Sequence, residues 1–232
     1  MKNFIKGYLE IPENLLNRQR WVKKTLLNVP EGSRILDAGA GEQQYKQYCS
    51  HLNYVSQDFN EYDGHGDSVG LQTGVWDVSE IDIVSDILEI PEKDGSFDTI
   101  ICTEVFEHIP DPTGALVEFN RLLRPGGVLI LTAPFASLTH FAPYHFATGF
   151  SKYWYEHHFP KAGFGITELT PNGDYPALLA QELLRMTSYF GKAPLLIKIF
   201  AAFILRYIKR RKHQNSNADI GCFGFHVIAQ KK

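Results

Sequence analysis

Apolar positions along the chain follow two periods, one helical and one extended. Between residues 13 and 29, Leu15, Leu16, Trp21, Val22 and Leu26 recur at helical spacing, and Pro30 with Gly32 closes the segment. Residues 33–37 then form a short apolar run that enters Ala38-Gly39-Ala40-Gly41, a strand feeding a glycine turn. The pattern predicts a helix over 42–51 and a second strand over 54–58. Residues 60–79 are polar and contain Gly64, Gly66, Gly70 and Gly74, so a loop is expected. A third strand is predicted over 81–86 and a fourth over 97–102, the latter almost continuously apolar, as suits a strand covered on both faces. Asp111 and Pro112 sit at the start of a predicted helix over 111–123, as N-cap and first helical residue. Pro125-Gly126-Gly127 ends it, and a fifth strand is expected over 128–132.

After Pro134 the chain is crowded with aromatics and histidines. A helix is predicted over 151–162, closed by Gly163, and strands over 166–169 and 223–229. Between those strands, 175–212 reads as helical with breaks near Gly191 and Pro194. Strands alternating with helices over the first two-thirds imply right-handed crossovers and a doubly wound α/β sheet.

Composition changes this picture little. A chain of 232 residues, 44% hydrophobic, suits one α/β domain with additions. The net charge of −3 gives no reason to expect a nucleic-acid partner. Cys49, Cys102 and Cys222 are far apart and form no CxxC pair, so they read as reduced, buried thiols. The first residues carry no apolar h-region or small-residue cleavage site, so no secretory signal is expected and the chain reads as cytoplasmic.

Candidate chemistry begins at Asp37-Ala38-Gly39-Ala40-Gly41. Glycines there let the backbone turn sharply and approach a ligand closely, and a following helix would aim free N–H groups into the same crevice. A lone Gly-x-Gly is equally readable as a tight turn with no ligand. Asp58 ends the next strand, where a carboxylate meets a ribose diol in such folds; the bland alternative is a strand-end Asx turn.

Taken in order, these motifs resemble the class I, Rossmann-like S-adenosylmethionine-dependent methyltransferases, and more closely their small-molecule branch. The resemblance rests on Ile35 through Gly41, Gln57-Asp58, Ser85-Asp86-Ile87 with Leu88 to Pro91, Phe97-Asp98 through Glu104-Val105-Phe106-Glu107-His108-Ile109, and Leu122 through Gly127 with Leu129-Ile130-Leu131. It implies a sheet of about seven strands with helices on both faces, the last strand antiparallel beside the fifth. It implies S-adenosylmethionine as cofactor, contacted by Asp37, Gly39, Gly41, Asp58, Asp86 and Ile87 and by the backbone near Thr103 and Glu104. The chain departs from the pattern at Glu42, where many members have a third glycine. Gln44 stands where a dinucleotide fingerprint needs glycine, which argues against NAD. Glu42 is expected to favour a helix dipole or to help hold the cofactor's ammonium group. Two rival classes remain: a nicotinamide-dependent oxidoreductase, and a non-catalytic member binding cofactor or membrane.

Methyl transfer is an in-line displacement that needs donor and acceptor held at attack distance, and a hydroxyl acceptor also needs a base. Glu104, His108, His140 and His145 are the candidates, with structural roles as the alternative for each histidine. The histidines show no recognised metal-ligand spacing, and no metal is expected. The resemblance places 30–134 as cofactor core and 135–163 as a lid over the acceptor, which is read as a small molecule, glycan or lipid-linked compound. Residues 175–213 form a helical insertion and 221–232 the last strand, all within a single domain 1–232. Within the insertion, residues 193–213 pair a broad apolar face with the basic run Lys209-Arg210-Arg211-Lys212. That segment either packs as a helix with a solvated tail or lies on anionic lipid at the inner membrane face.

Overall fold

The computed structural model describes residues 13–189, 199–200, 203–204, 207, 218 and 220–232. The fold expectation holds. Its elements are α1 (Glu13–Leu27), β1 (Arg34–Ala38), β2 (Asn53–Asp58), β3 (Ile83–Val84), β4 (Phe97–Thr103), α2 (Pro112–Leu122), β5 (Leu123–Pro134), α3 (Lys152–Lys161), β6 (Phe164–Asn172), α4 (Tyr175–Tyr189) and β7 (Gly224–Lys231), with 3₁₀ turns at Lys46–Tyr48 and Phe106–His108. The strands form one seven-stranded sheet in the order β3-β2-β1-β4-β5-β7-β6. β1 lies parallel to both β2 and β4, with Leu36 between Val55 and Ile100. β7 runs antiparallel to β5, pairing Ile228 with Ile130.

Two compact units divide the chain. The larger, Arg20–Thr170 with Gly224–Lys232, contains every candidate site residue. On one face of its sheet, Ile35, Ile101 and Ile130 join Val22 and Leu26 of α1 with Tyr45 and Cys49 in a buried cluster. Strand alternation sends the registered row Leu36, Ile100 and Leu129, all fully buried, to the opposite face. Asp111 caps α2 by accepting from the Thr113 and Gly114 amides, and Ala115, Leu116, Phe119 and Leu122 are buried along it. In the smaller unit, Met1–Gln19 with Pro171–Phe223, the Asn172 amide donates to Asn14 Oδ1 at 2.8 Å, and the Phe223 N–H donates to the Asn172 carbonyl at 2.9 Å.

Three local expectations are corrected. The predicted helix over 42–51 is a chain of turns closed by i→i−3 bonds, such as Lys46 N to Gln43 O at 3.0 Å, with one 3₁₀ turn. Gln43 has φ +54°, which an α-helix cannot accept. Burial of Tyr45 and Cys49 at i, i+4 mimics a helical stripe. No helix dipole therefore faces Glu42, whose carboxylate instead accepts from the Asp77 N–H at 3.3 Å. The predicted strand 81–86 shrinks to Ile83–Val84. Asp82 is drawn off to accept from the Ser56 N–H and hydroxyl, and Asp86 turns back to accept from the Leu88 N–H. Finally, Pro125-Gly126-Gly127 lies inside β5, beside a register irregularity between Phe97 and Thr99. Predicted helix beyond residue 189, with its breaks at Gly191 and Pro194, and most of 193–213 fall outside the described residues. No helix among the described residues is long and apolar enough to cross a membrane.

Candidate active site

In this strand order β1 and β4 are adjacent while their chain neighbours leave in opposite directions, so the carboxyl ends of β1, β2 and β4 border a switch-point crevice. The turn after β1 is built against β2. The Gly39 and Ala40 amides both donate to the Gln57 carbonyl at 2.9 Å, and the Gly41 amide donates to Asp58 Oδ2 at 2.9 Å. Gly39 (φ +72°) and Gly41 (φ +50°) occupy the left-handed region. A Cβ on Gly39 would stand 2.5 Å from Val105 Cγ2, and one on Gly41 would stand 2.5 Å from the Trp76 ring. The Gln57 side chain donates to the Ser85 carbonyl at 2.7 Å, which ties the end of β2 to the Asp86-Ile87 segment. Asp86 is exposed and Ile87 is buried.

Asp37 and Asp58 are both buried. Burial pushes the Asp37 carboxyl up to about 6, the nearby Asp58 adds to the rise, and a 2.7 Å hydrogen bond from the Tyr54 hydroxyl opposes it. Burial and Asp37 in turn raise Tyr54 well above the usual phenol range. Two buried carboxylates that repel one another make a setting suited to a cationic ligand.

β4 delivers half-buried Thr103 and then Glu104, whose φ of +54° is uncommon for a residue with a Cβ and costs about 1–3 kcal/mol. The strained turn is held by its N–H donating to the Thr132 carbonyl at 2.8 Å and by the Thr132 hydroxyl donating to Glu104 Oε1 at 2.9 Å.

The 60–79 loop and the predicted lid interlock. Leu71 N donates to Thr139 O and Phe141 N to Leu71 O, both at 3.0 Å, and Asp67 N donates to Ala142 O at 3.1 Å. Phe141 stacks on Tyr62 at 4.7 Å and meets Trp76 edge-on at 5.3 Å. On its other side Phe141 stacks on His108 at 5.0 Å. The structure thus brings His108, His140 and His145 together: one nitrogen from each lies within 4.8 Å of the others. Spacing along the chain predicts no such grouping, because His108 follows β4 while His140 and His145 follow β5, and only the fold brings the two segments together. Glu107, which the sequence did not single out, is fully enclosed, with Oε1 3.8 Å from Nε2 of both His108 and His140. His108 Nδ1 is 2.6 Å from the Tyr144 carbonyl. Burial, with His140 beside it, pulls His108 down to about 3, so the ring is neutral and a poor match for general-base work near neutrality. His145 is lowered by the same two causes in the same order. His157 is exposed and bonded to Lys161, and His158 packs on Trp154. Trp76, Tyr62 and Phe141 also went unremarked, because isolated aromatics in irregular chain leave no periodic signal.

Comparison with known proteins now adds the family. The methyltransferase domain profile matches residues 13–166. A curated relative, ubiquinone biosynthesis O-methyltransferase of Xanthomonas oryzae pv. oryzae, is 33% identical over 104 residues, covering 44% of this chain and 43% of that one. The match thus spans less than half the length of that relative. Among solved structures, the cyclase SpnF superposes with TM-score 0.57 at 14% identity, covering 93% of this chain and 80% of that one. A phosphoethanolamine N-methyltransferase 2 of Haemonchus contortus, solved with phosphomonomethylethanolamine and S-adenosylhomocysteine, gives TM-score 0.53 at 17% identity, with 93% and 52% coverage. At these identities the two structures speak for the fold alone.

Proposed function

We propose that this chain, which belongs to the S-adenosylmethionine-dependent methyltransferase family, transfers a methyl group to an oxygen of a small, glycan or lipid-linked acceptor held beneath the 135–163 lid. The observation that carries the reading is the buried carboxylate of Asp58 at the end of β2, beside Asp37 and behind the glycine turn. A carboxylate offers about four lone-pair sites. Two accept the Gly41 and Asn60 amides, which leaves capacity for the two hydroxyls of a ribose. Asp37 and Asp58 supply negative charge for the ammonium and sulfonium groups, while Asp86 and buried Ile87 stand where adenine would be held. Thr103 and Glu104 present backbone at the same edge. S-adenosylmethionine supplies an electrophilic methyl when bound. The chain's own task is to hold donor and acceptor in line and to keep water out, for which the Phe141, Tyr62 and Trp76 contacts are suited. The curated O-methyltransferase relative supports oxygen as the accepting atom.

Calorimetry with S-adenosylhomocysteine and with NADH tests the cofactor. Binding of the first and not the second is expected, and the reverse would overturn the reading in favour of a nicotinamide enzyme. Turnover of S-adenosylmethionine with a panel of phenols, diols and lipid-linked acceptors then separates an enzyme from a non-catalytic binder. That distinction matters, since a cyclase shares the fold.

A further inference from the structure

We infer that His108, His140 and His145 form a site for a divalent transition ion of the zinc class, with one coordination position left for the acceptor's oxygen. The ligand-bearing nitrogens lie within 4.8 Å of one another. Each of two rings is fixed by a backbone carbonyl: His108 Nδ1 lies 2.6 Å from Tyr144 O, and His140 Nδ1 lies 2.8 Å from Leu138 O. A carbonyl can only accept, so both Nδ1 atoms carry the proton, and the lone pairs sit on the two Nε2 atoms that face the cluster. This is the outer-shell arrangement that sets the tautomer of metal-binding histidines. His108 Nε2 and both ring nitrogens of His145 are buried without a hydrogen-bond partner among the described residues. A buried imidazole nitrogen left so is costly unless something occupies it. Glu107 Oε1, 3.8 Å from two of the ring nitrogens, sets a carboxylate against the cluster and offsets cationic charge. Imidazole suits Zn²⁺, Co²⁺ and Fe²⁺ rather than Mg²⁺, which prefers oxygen ligands. Metal–nitrogen bonds of about 2.0–2.1 Å need the rings to draw in somewhat from their present spread. Three protein ligands leave the ion an open position. The His140 side chain is about a quarter exposed, so that position can be reached from outside.

The inference deepens the proposed function and rests on it for the acceptor. A bound ion lowers the pKa of a coordinated hydroxyl, whose proton leaves to water. The oxygen then forms its bond to the methyl carbon as the carbon–sulfur bond breaks and its electron pair stays on sulfur. This removes the need for a side-chain base, which fits poorly with a neutral, buried His108. The favoured acceptor class is therefore a phenol or vicinal diol able to bind a metal through oxygen.

The test uses the full chain, stripped of metal by chelator and titrated with Co²⁺ and Zn²⁺. We expect one Co²⁺ per chain with the visible absorption of four- or five-coordinate cobalt, displaced by Zn²⁺. His140→Ala and His145→Ala should each weaken binding at least about tenfold, and the double variant should lose the spectrum, while His157→Ala leaves it unchanged. Absence of the spectrum in the wild type, or its survival in the double variant, would overturn the site. The wild-type titration decides even if a variant fails to fold. S-adenosylhomocysteine binding measured on the metal-free protein separates the two ideas: a protein that binds S-adenosylhomocysteine but takes up no Co²⁺ sinks only the metal site, whereas one that binds no S-adenosylhomocysteine sinks the cofactor reading.

Discussion

Asp37→Asn isolates the electrostatics of the crevice. The folded chain holds this carboxyl up to about 6 against an ordinary value of 3.8, chiefly through burial. Below about pH 4 the group is protonated in both folded and unfolded chains, and its charge costs nothing. Between about 4 and 6 the unfolded chain has lost the proton while the folded chain keeps it, so wild-type stability falls as pH rises through this window. Above about 6 the whole penalty is present. Roughly two units at about 1.4 kcal/mol each give a penalty of about 3 kcal/mol. Asparagine removes it and still offers an acceptor to the Tyr54 hydroxyl. The new amide N–H₂ adds an offset of about 1–3 kcal/mol if it lacks an acceptor, but that offset does not vary with pH. The informative quantity is therefore the variant's stability minus the wild type's, followed by chemical denaturation from pH 4 to pH 7. It should move in the variant's favour by about 3 kcal/mol, or about 6–12 °C in Tm for a chain of this size. A difference that stays flat across that range would refute the buried-charge account. The same variant should bind S-adenosylhomocysteine more weakly at pH 7, because its ammonium loses a carboxylate.

Asp58→Asn sets an amide N–H₂ against one of the two backbone amides the carboxylate accepts, so it should cost about 1–3 kcal/mol of stability, and it should lower S-adenosylhomocysteine affinity about 10- to 100-fold, or about 1.4–2.8 kcal/mol by calorimetry; unchanged affinity would remove Asp58 from the ribose role. Gly66→Ala places a Cβ against the Ala142 carbonyl at φ +51°, so it should destabilise by about 1–3 kcal/mol. Hydrogen exchange should then quicken across 139–147 before it does so in the sheet. If residues 193–213 lie on anionic lipid, the wild type floats with anionic vesicles and replacing Lys209, Arg210, Arg211 and Lys212 by glutamine should abolish it, each charge contributing about 1 kcal/mol. Flotation of neither protein would overturn the membrane reading, and equal flotation of both would overturn the part assigned to these four charges.

Much of the sheet was legible because its central strands bury both faces. The runs at Ile35-Leu36, Ile100-Ile101 and Leu129-Ile130-Leu131 have no polar gap, and all these residues are fully enclosed. The start of α2 was legible because Asp111 and Pro112 act locally. Segment 42–51 misled because Tyr45 and Cys49 are buried at helical spacing, while the left-handed Gln43 leaves no mark in the sequence. Strand 81–86 misled for a different reason: Asp82 and Asp86 were read as strand residues, whereas their carboxylates are engaged with Ser56 and Leu88. The crevice residues Asp37, Gly39, Gly41 and Asp58 could be named in advance because strand order alone brings the first two strand ends together. The histidine cluster could not, since His108 meets His140 and His145 only through the packing of two segments distant in sequence.

One turn joins both halves of the site. β4 ends at Thr103, strained Glu104 follows it, and two residues later the 3₁₀ turn Phe106–His108 begins. Phe106 is fully buried and anchors that turn against Phe119 of α2 and against Phe150 and Trp154 at the base of the lid. The Glu107 carbonyl accepts the Phe146 and Ala147 amides, so the lid is also pinned to the turn's backbone. Glu104, Glu107 and His108 therefore follow directly on β4, whereas His140 and His145 lie in the 135–163 segment after β5. In the proposed reading, this pinning sets the acceptor side at a distance from the cofactor fixed by β4 and its turn, which is the positioning that in-line transfer requires.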